Sequence, residues 1–189
     1  MALVVSHAGT AANSTMVELS KEYVFKIQNP SELENKFTVR KEKEAIEIMK
    51  GVGIDDLDKL KELLGGIDFT SVSTRQLGRL AVALYEMGYP DLGGMGFLLQ
   101  GNMDCGPDGK SRNRDVKFNA IALMHEQLKG HVNFYDKEPQ LKILPNSMHI
   151  IPSLICINQV VGAMAYFARA LAQPVTQSEP KLGLIDERA

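Results

Sequence analysis

The side chains best able to do chemistry in this chain cluster in one polar, turn-rich stretch, residues 100–114, and just beyond it. Asp104, Asp108 and Asp115 occupy positions one, five and twelve of a calcium-loop spacing, with Gly109 at the sixth position, where the loop turns sharply. The pattern then fails. Position three is Gly106, position nine is Arg112, and position twelve is an Asp where a longer, bidentate Glu is needed, so too few oxygens remain for tight binding. Gly106-Pro107-Asp108-Gly109 reads instead as a type I turn. Cys105 lies in the same loop, and a nucleophilic role needs a base such as His125, His131 or His149. Nothing in the linear sequence brings one within reach, or sets a positive neighbour beside the thiol to lower its pKa. His125-Glu126 with His131 has the composition of a zinc helix, but Lys129 stands where His-Glu-x-x-His requires the second histidine. His125 is therefore read as a half-buried structural histidine. The glycines of LGGMGFLLQ (Gly93, Gly94, Gly96) match no phosphate-loop spacing and indicate close packing or a turn. The reading favours no metal, no cofactor and no enzyme. An enzymatic or metal-dependent site built from Asp104, Cys105, Asp108, Asp115 and His125 is the alternative.

Composition narrows the function classes. With 21 Lys+Arg against 23 Asp+Glu the net charge is −2, so no overall basic field attracts nucleic acid. Aromatic content is 6% with no Trp, which also weakens a base-stacking role. Two cysteines, Cys105 and Cys156, read as reduced thiols in a reducing, cytoplasmic compartment. The first residues lack the basic start and long apolar run of a cleaved signal peptide. Their Ser/Thr/Ala-rich composition fits a disordered tail, and also an uncleaved export signal.

The elements that must position these residues are mostly helices. Residues 22–27 (EYVFKI) alternate like a half-buried strand and residues 36–40 (KFTVR) repeat this weakly, giving an N-terminal hairpin in competition with a helix from Pro30. Mixed charges over residues 40–47 suit a solvated helix face. Ile54, Leu57, Leu60 and Leu64 share one face of a short amphipathic helix closed by Gly65-Gly66. Ser73-Thr74-Arg75-Gln76 has the form of a capping box, and the helix it starts carries Leu77, Leu80, Ala81, Leu84 and Tyr85 inward to Gly88. Asp91 caps a further short helix. Asp115 is expected to cap a helix carrying Phe118, Ile121, Met124 and Leu128 to Lys129-Gly130, with short extended pieces over residues 131–144.

Residues 148–172, MHIIPSLICINQVVGAMAYFARALA, are the most apolar stretch, and the chain is expected to be organised around them. Nineteen residues from Ile150 to Ala168 carry no formal charge, nearly enough to span a bilayer core of roughly 30 Å. A helical wheel places Leu154, Ile157, Val160, Val161, Met164, Ala165, Phe167, Ala168 and Leu171 in one broad sector, and Asn158, Gln159, Gly162, Tyr166 and Arg169 in the other. That polar strip favours a core or interface helix over a single membrane anchor, because unpaired amides in hydrocarbon are costly. A tail anchor through residues 150–168 is the competing reading.

The expectation is a mainly α fold: a compact helical bundle around the long apolar C-terminal helix, with a small N-terminal β-hairpin as an option. Residues 1–16 and 173–189 are expected as flexible tails flanking one domain over residues 17–172. The function expected is a non-enzymatic protein–protein interaction module, an adaptor, secretion-associated or regulatory factor. It would use a protein partner or self-association as a homodimer, with Asn158, Gln159, Gly162, Tyr166 and Arg169 as its contact strip.

Overall fold

The computed structural model describes residues 27–143 and 147–173. The expected tails and most of the strand expected at 22–27 lie outside them. Among the described residues six α-helices run in the order α1 (Glu42–Gly51), α2 (Leu57–Leu64), α3 (Thr74–Glu86), α4 (Leu92–Gln100), α5 (Ala120–Lys137) and α6 (Ile150–Ala172). A 3-10 turn over Pro139–Ile143 follows α5. The described residues also hold four two-residue strands: β1 (Val72–Ser73), β2 (Asp104–Cys105), β3 (Ser111–Arg112) and β4 (Lys117–Phe118). The protein is mainly α.

Local chemistry explains the helix starts. Asp56 accepts a hydrogen bond from the Lys59 amide at 3.0 Å and caps α2. At α3 the capping box is complete: the Gln76 amide donates to Ser73 Oγ at 3.3 Å, and the Ser73 amide donates to Gln76 Oε1 at 3.1 Å. Asp91 takes the Gly93 amide at 2.9 Å to begin α4.

α6 is the centre of the bundle, in contact with α1, α2, α4 and α5. Its sector from Leu154 to Ala168 is buried as the spacing indicates, whereas Leu171 is exposed. Its apolar length is thus used inside the fold. Gly93 lets α4 approach it, and Gly94 makes room for the turn before α4. A Cβ on Gly93 would stand 2.6 Å from Ser153 Oγ, and one on Gly94 would stand 2.7 Å from the Tyr89 hydroxyl. Ser153 Oγ donates to Asp91 Oδ1 at 3.0 Å, and Tyr89 Oη lies 3.6 Å from Cys156 Sγ. Burial, aided by Cys156, pushes the Tyr89 hydroxyl pKa above its ordinary value.

Several expectations need correction. No strand forms at residues 36–40, which run as a turn and an extended segment. The β-structure lies elsewhere, in the antiparallel pairs β1–β4 and β2–β3. Tyr85 is 58% exposed, because it sits one residue past Leu84 at the edge of the α3 stripe. Asn119, not Asp115, caps α5 by accepting the Ala122 amide at 3.1 Å, and Phe118 belongs to β4. Nor does α5 stop at Gly130. It continues to Lys137, since Tyr135 is buried and stacks on His131, which offsets the roughly 1 kcal/mol that a mid-helix glycine costs.

Candidate functional site

Asn158 is buried on α6, and its Nδ2 donates to Met124 O on α5 at 3.0 Å and to Leu154 O at 2.7 Å. It ties α5 to α6. Gly162 faces the backbone of residue 37: a Cβ there would come closer than 3.0 Å to Phe37 O, nearer than real Cβ atoms approach. Arg169 Nη2 donates to Val39 O at 3.3 Å. Tyr166 is half-buried edge-on to Phe167, and Gln159 is exposed. The strip expected to meet a partner therefore seats the chain's own residues 33–39 at Gly162 and Arg169, while Gln159 and much of the Arg169 side chain stay exposed. A polar stripe meets water or another backbone equally well, so its sequence does not choose between them.

This N-terminal strap is held along the first two turns of α5, from its cap to Glu126. The amides of Gln28 and Asn29 donate to the Glu126 carboxylate at 2.8 and 2.7 Å. Asn119 Nδ2 donates to the carbonyls of Pro30 and Glu32 at 3.0 and 2.8 Å. Glu32 Oε1 lies 2.5 Å from His125 Nδ1 with both side chains nearly buried, and the His125 ring takes Phe37 edge-on. His125 is thus a structural histidine, as its position on the apolar face indicates, but its partner lies 93 residues away in the chain.

The loop aspartates do not converge. β2 and β3 form a hairpin pairing Asp104 with Arg112 and Cys105 with Ser111, closed by a Gly109 amide to Gly106 carbonyl bond of 2.9 Å. Asp108 Oδ1 accepts the Lys110 amide at 3.1 Å. Asp115 is drawn away by register: β1–β4 sets Ser73 opposite Lys117, so residue 115 falls beside residue 75. Arg75 then grips Asp115 with two bonds of 2.6 and 2.8 Å. Those bonds hold the Asp115 carboxyl below its ordinary pKa, with help from the charges of Arg75, Arg114 and Arg79. Cys105 is exposed. Among the described residues no three of His, Cys, Asp and Glu gather as a metal would require. Comparison with protein-family models, characterised proteins and solved structures finds no match.

Two other surfaces stand out. At one end of the bundle, Val132, Phe134, Met148 and Ile155 are 39–61% exposed. Tyr135 lies between two clefts there. One, of about 410 Å³, is lined by Phe97, Gln127, His131 and Phe134; the other, of about 380 Å³, by Val132, Met148 and Ile151. Burial lowers the His131 pKa, favouring the neutral ring. Gln127 Oε1 is closed off from solvent without a hydrogen-bond partner. The second surface joins α3 and α4, where Thr74, Arg75, Gly78, Arg79, Val82, Leu99 and Arg114 line a cleft of about 440 Å³. Sequence reading missed both: the first because α5 was ended too early, the second because Arg114 lies 35 residues beyond Arg79 and only the β1–β4 ladder joins them.

Proposed function

We propose that this chain is a non-enzymatic protein–protein interaction module, an adaptor or regulatory factor, that pairs with a second copy of itself through the end of α5 and α6. One observation carries this reading: large apolar side chains stand exposed beside two clefts on the same patch. Contiguous exposed apolar surface is the usual mark of a docking face. A two-fold interface requires a patch that complements itself. Here Phe134 and Met148 protrude while the clefts on either side of Tyr135 receive, so two copies related by a two-fold axis can exchange these side chains.

Light scattering after gel filtration tests it. The wild-type protein should elute at twice its 20.8 kDa mass, and Phe134→Asp with Met148→Asp should elute at the single-chain mass with unchanged far-ultraviolet circular dichroism. A wild-type monomer at about 0.1 mM, where a micromolar interface is saturated, overturns the reading. So does a dimer indifferent to the two aspartates.

A further inference from the structure

We propose that the arginine cleft between α3 and α4 binds an acidic, amphipathic helical segment of a protein partner. The site lies apart from the proposed self-association face, so either reading can fail alone.

The charge there is unbalanced. Arg75, Arg79 and Arg114 line the cleft, and Asp115 occupies only Arg75. Among the described residues no carboxylate stands within ion-pair distance of Arg79 or Arg114, and both side chains are exposed. Lys117 is bonded to Gln76 close by and adds to the positive field.

The spacing matches a helix. Arg75 and Arg79 are one turn apart on α3, about 6 Å along its axis, and Asp115 takes only the Nε and Nη2 edge of Arg75, leaving Nη1 to donate to a second carboxylate. Carboxylates at i and i+4 of a partner helix have the same spacing. Gly78, between the two arginines, keeps the floor open, since a Cβ there would meet only Leu99 Cδ2, at 3.9 Å. One turn further on, Val82 stands 49% exposed, placed to receive an apolar side chain at i+7, and Leu99, 46% exposed, adds apolar surface beside Gly78. Acidic groups at one end and an apolar group at the other describe an amphipathic segment, which a helix-in-groove mode would bind.

A nucleic acid fits less well. The chain is net negative, and no aromatic ring lines the cleft for base stacking. Arginine forks beside apolar side chains instead suit carboxylates that are partly shielded from water.

The experiment is a titration of ¹⁵N-labelled full-length protein with a synthetic acetylated helical peptide bearing Glu at i and i+4 and Leu at i+7. A matching peptide has Gln for Glu. Shifts should be confined to α3, α4 and the backbone near Arg114. The Gln peptide should bind about tenfold more weakly or worse, and Arg79→Glu with Arg114→Glu should lose binding to a similar degree. Both positions are exposed, so the variant should keep the wild-type far-ultraviolet circular dichroism. Added salt should weaken the complex, as screening requires. Equal binding of the Gln peptide overturns the proposal, as do shifts centred elsewhere, full binding by the charge-reversed variant, or no binding at millimolar peptide. If a single-stranded DNA oligonucleotide or phosphatidylserine vesicles bind more tightly than the peptide through the same arginines, the cleft serves that class and the protein-partner assignment is wrong.

Discussion

Replacing Gly162 by Ala should weaken the fold, although the same change in most helix interiors strengthens it. Ala is favoured over Gly by up to about 1 kcal/mol in a helix. At Gly162 the added methyl would be driven into Phe37 O, a backbone atom that cannot rotate away, so the strap must lift from α6. Overpacking of this kind costs about 1–3 kcal/mol, and lifting the strap also disturbs the Phe37–His125 contact. The net expectation is a loss of about 1–2 kcal/mol, or roughly 2–8 °C in melting temperature. Gly96→Ala is the internal control: Gly96 lies within α4, and a Cβ there meets nothing within 4 Å. It should gain about 0.5–1 kcal/mol. Chemical denaturation of both variants at one protein concentration reads the pair, and hydrogen exchange at the Gln28 and Asn29 amides reports the strap directly. If Gly162→Ala is as stable as Gly96→Ala, the strap does not seat against α6 as described.

Asn119→Ala removes the α5 cap and frees the carbonyls of Pro30 and Glu32, so denaturant unfolding should show a loss of about 1–3 kcal/mol. Cys105 is exposed and Cys156 only partly so, so mass spectrometry after brief alkylation of the native protein should find the label on Cys105 well before Cys156. His131 has its pKa lowered by burial, so the unfolded chain takes up the proton more readily. Stability should therefore fall as pH drops through the ordinary histidine value of about 6.5, and be fully recovered above it. His131→Gln should flatten that slope between about pH 7 and 5, by under about 1 kcal/mol because the ring is only half-buried. An identical slope in the variant would show that other groups set it.

Much of the helical architecture was legible because its signals are local. Caps at Ser73 and Asp91, and apolar spacing along α2, α3 and α6, act within a turn or two of the residues they organise. Gly130 misled for the same reason. A glycine counts against a helix locally, while the burial of Tyr135 that carries α5 past it depends on the rest of the fold.

By itself the sequence determined the mainly α class, the central place of α6 and the turn at Gly106–Gly109. What the polar residues touch was decided only by tertiary structure. Asn158 turned inward to the Met124 carbonyl of α5, Gly162 because the backbone of residue 37 lies across it, and Asp115 left the loop because a two-residue ladder put it beside Arg75. The three arginines became one cleft by the same pairing. Hydrophobic periodicity says which face of a helix leaves water, since burial is non-directional and scales with area. It does not say which distant backbone or charge will meet the other face, because those partnerships depend on chain crossings that no local pattern encodes.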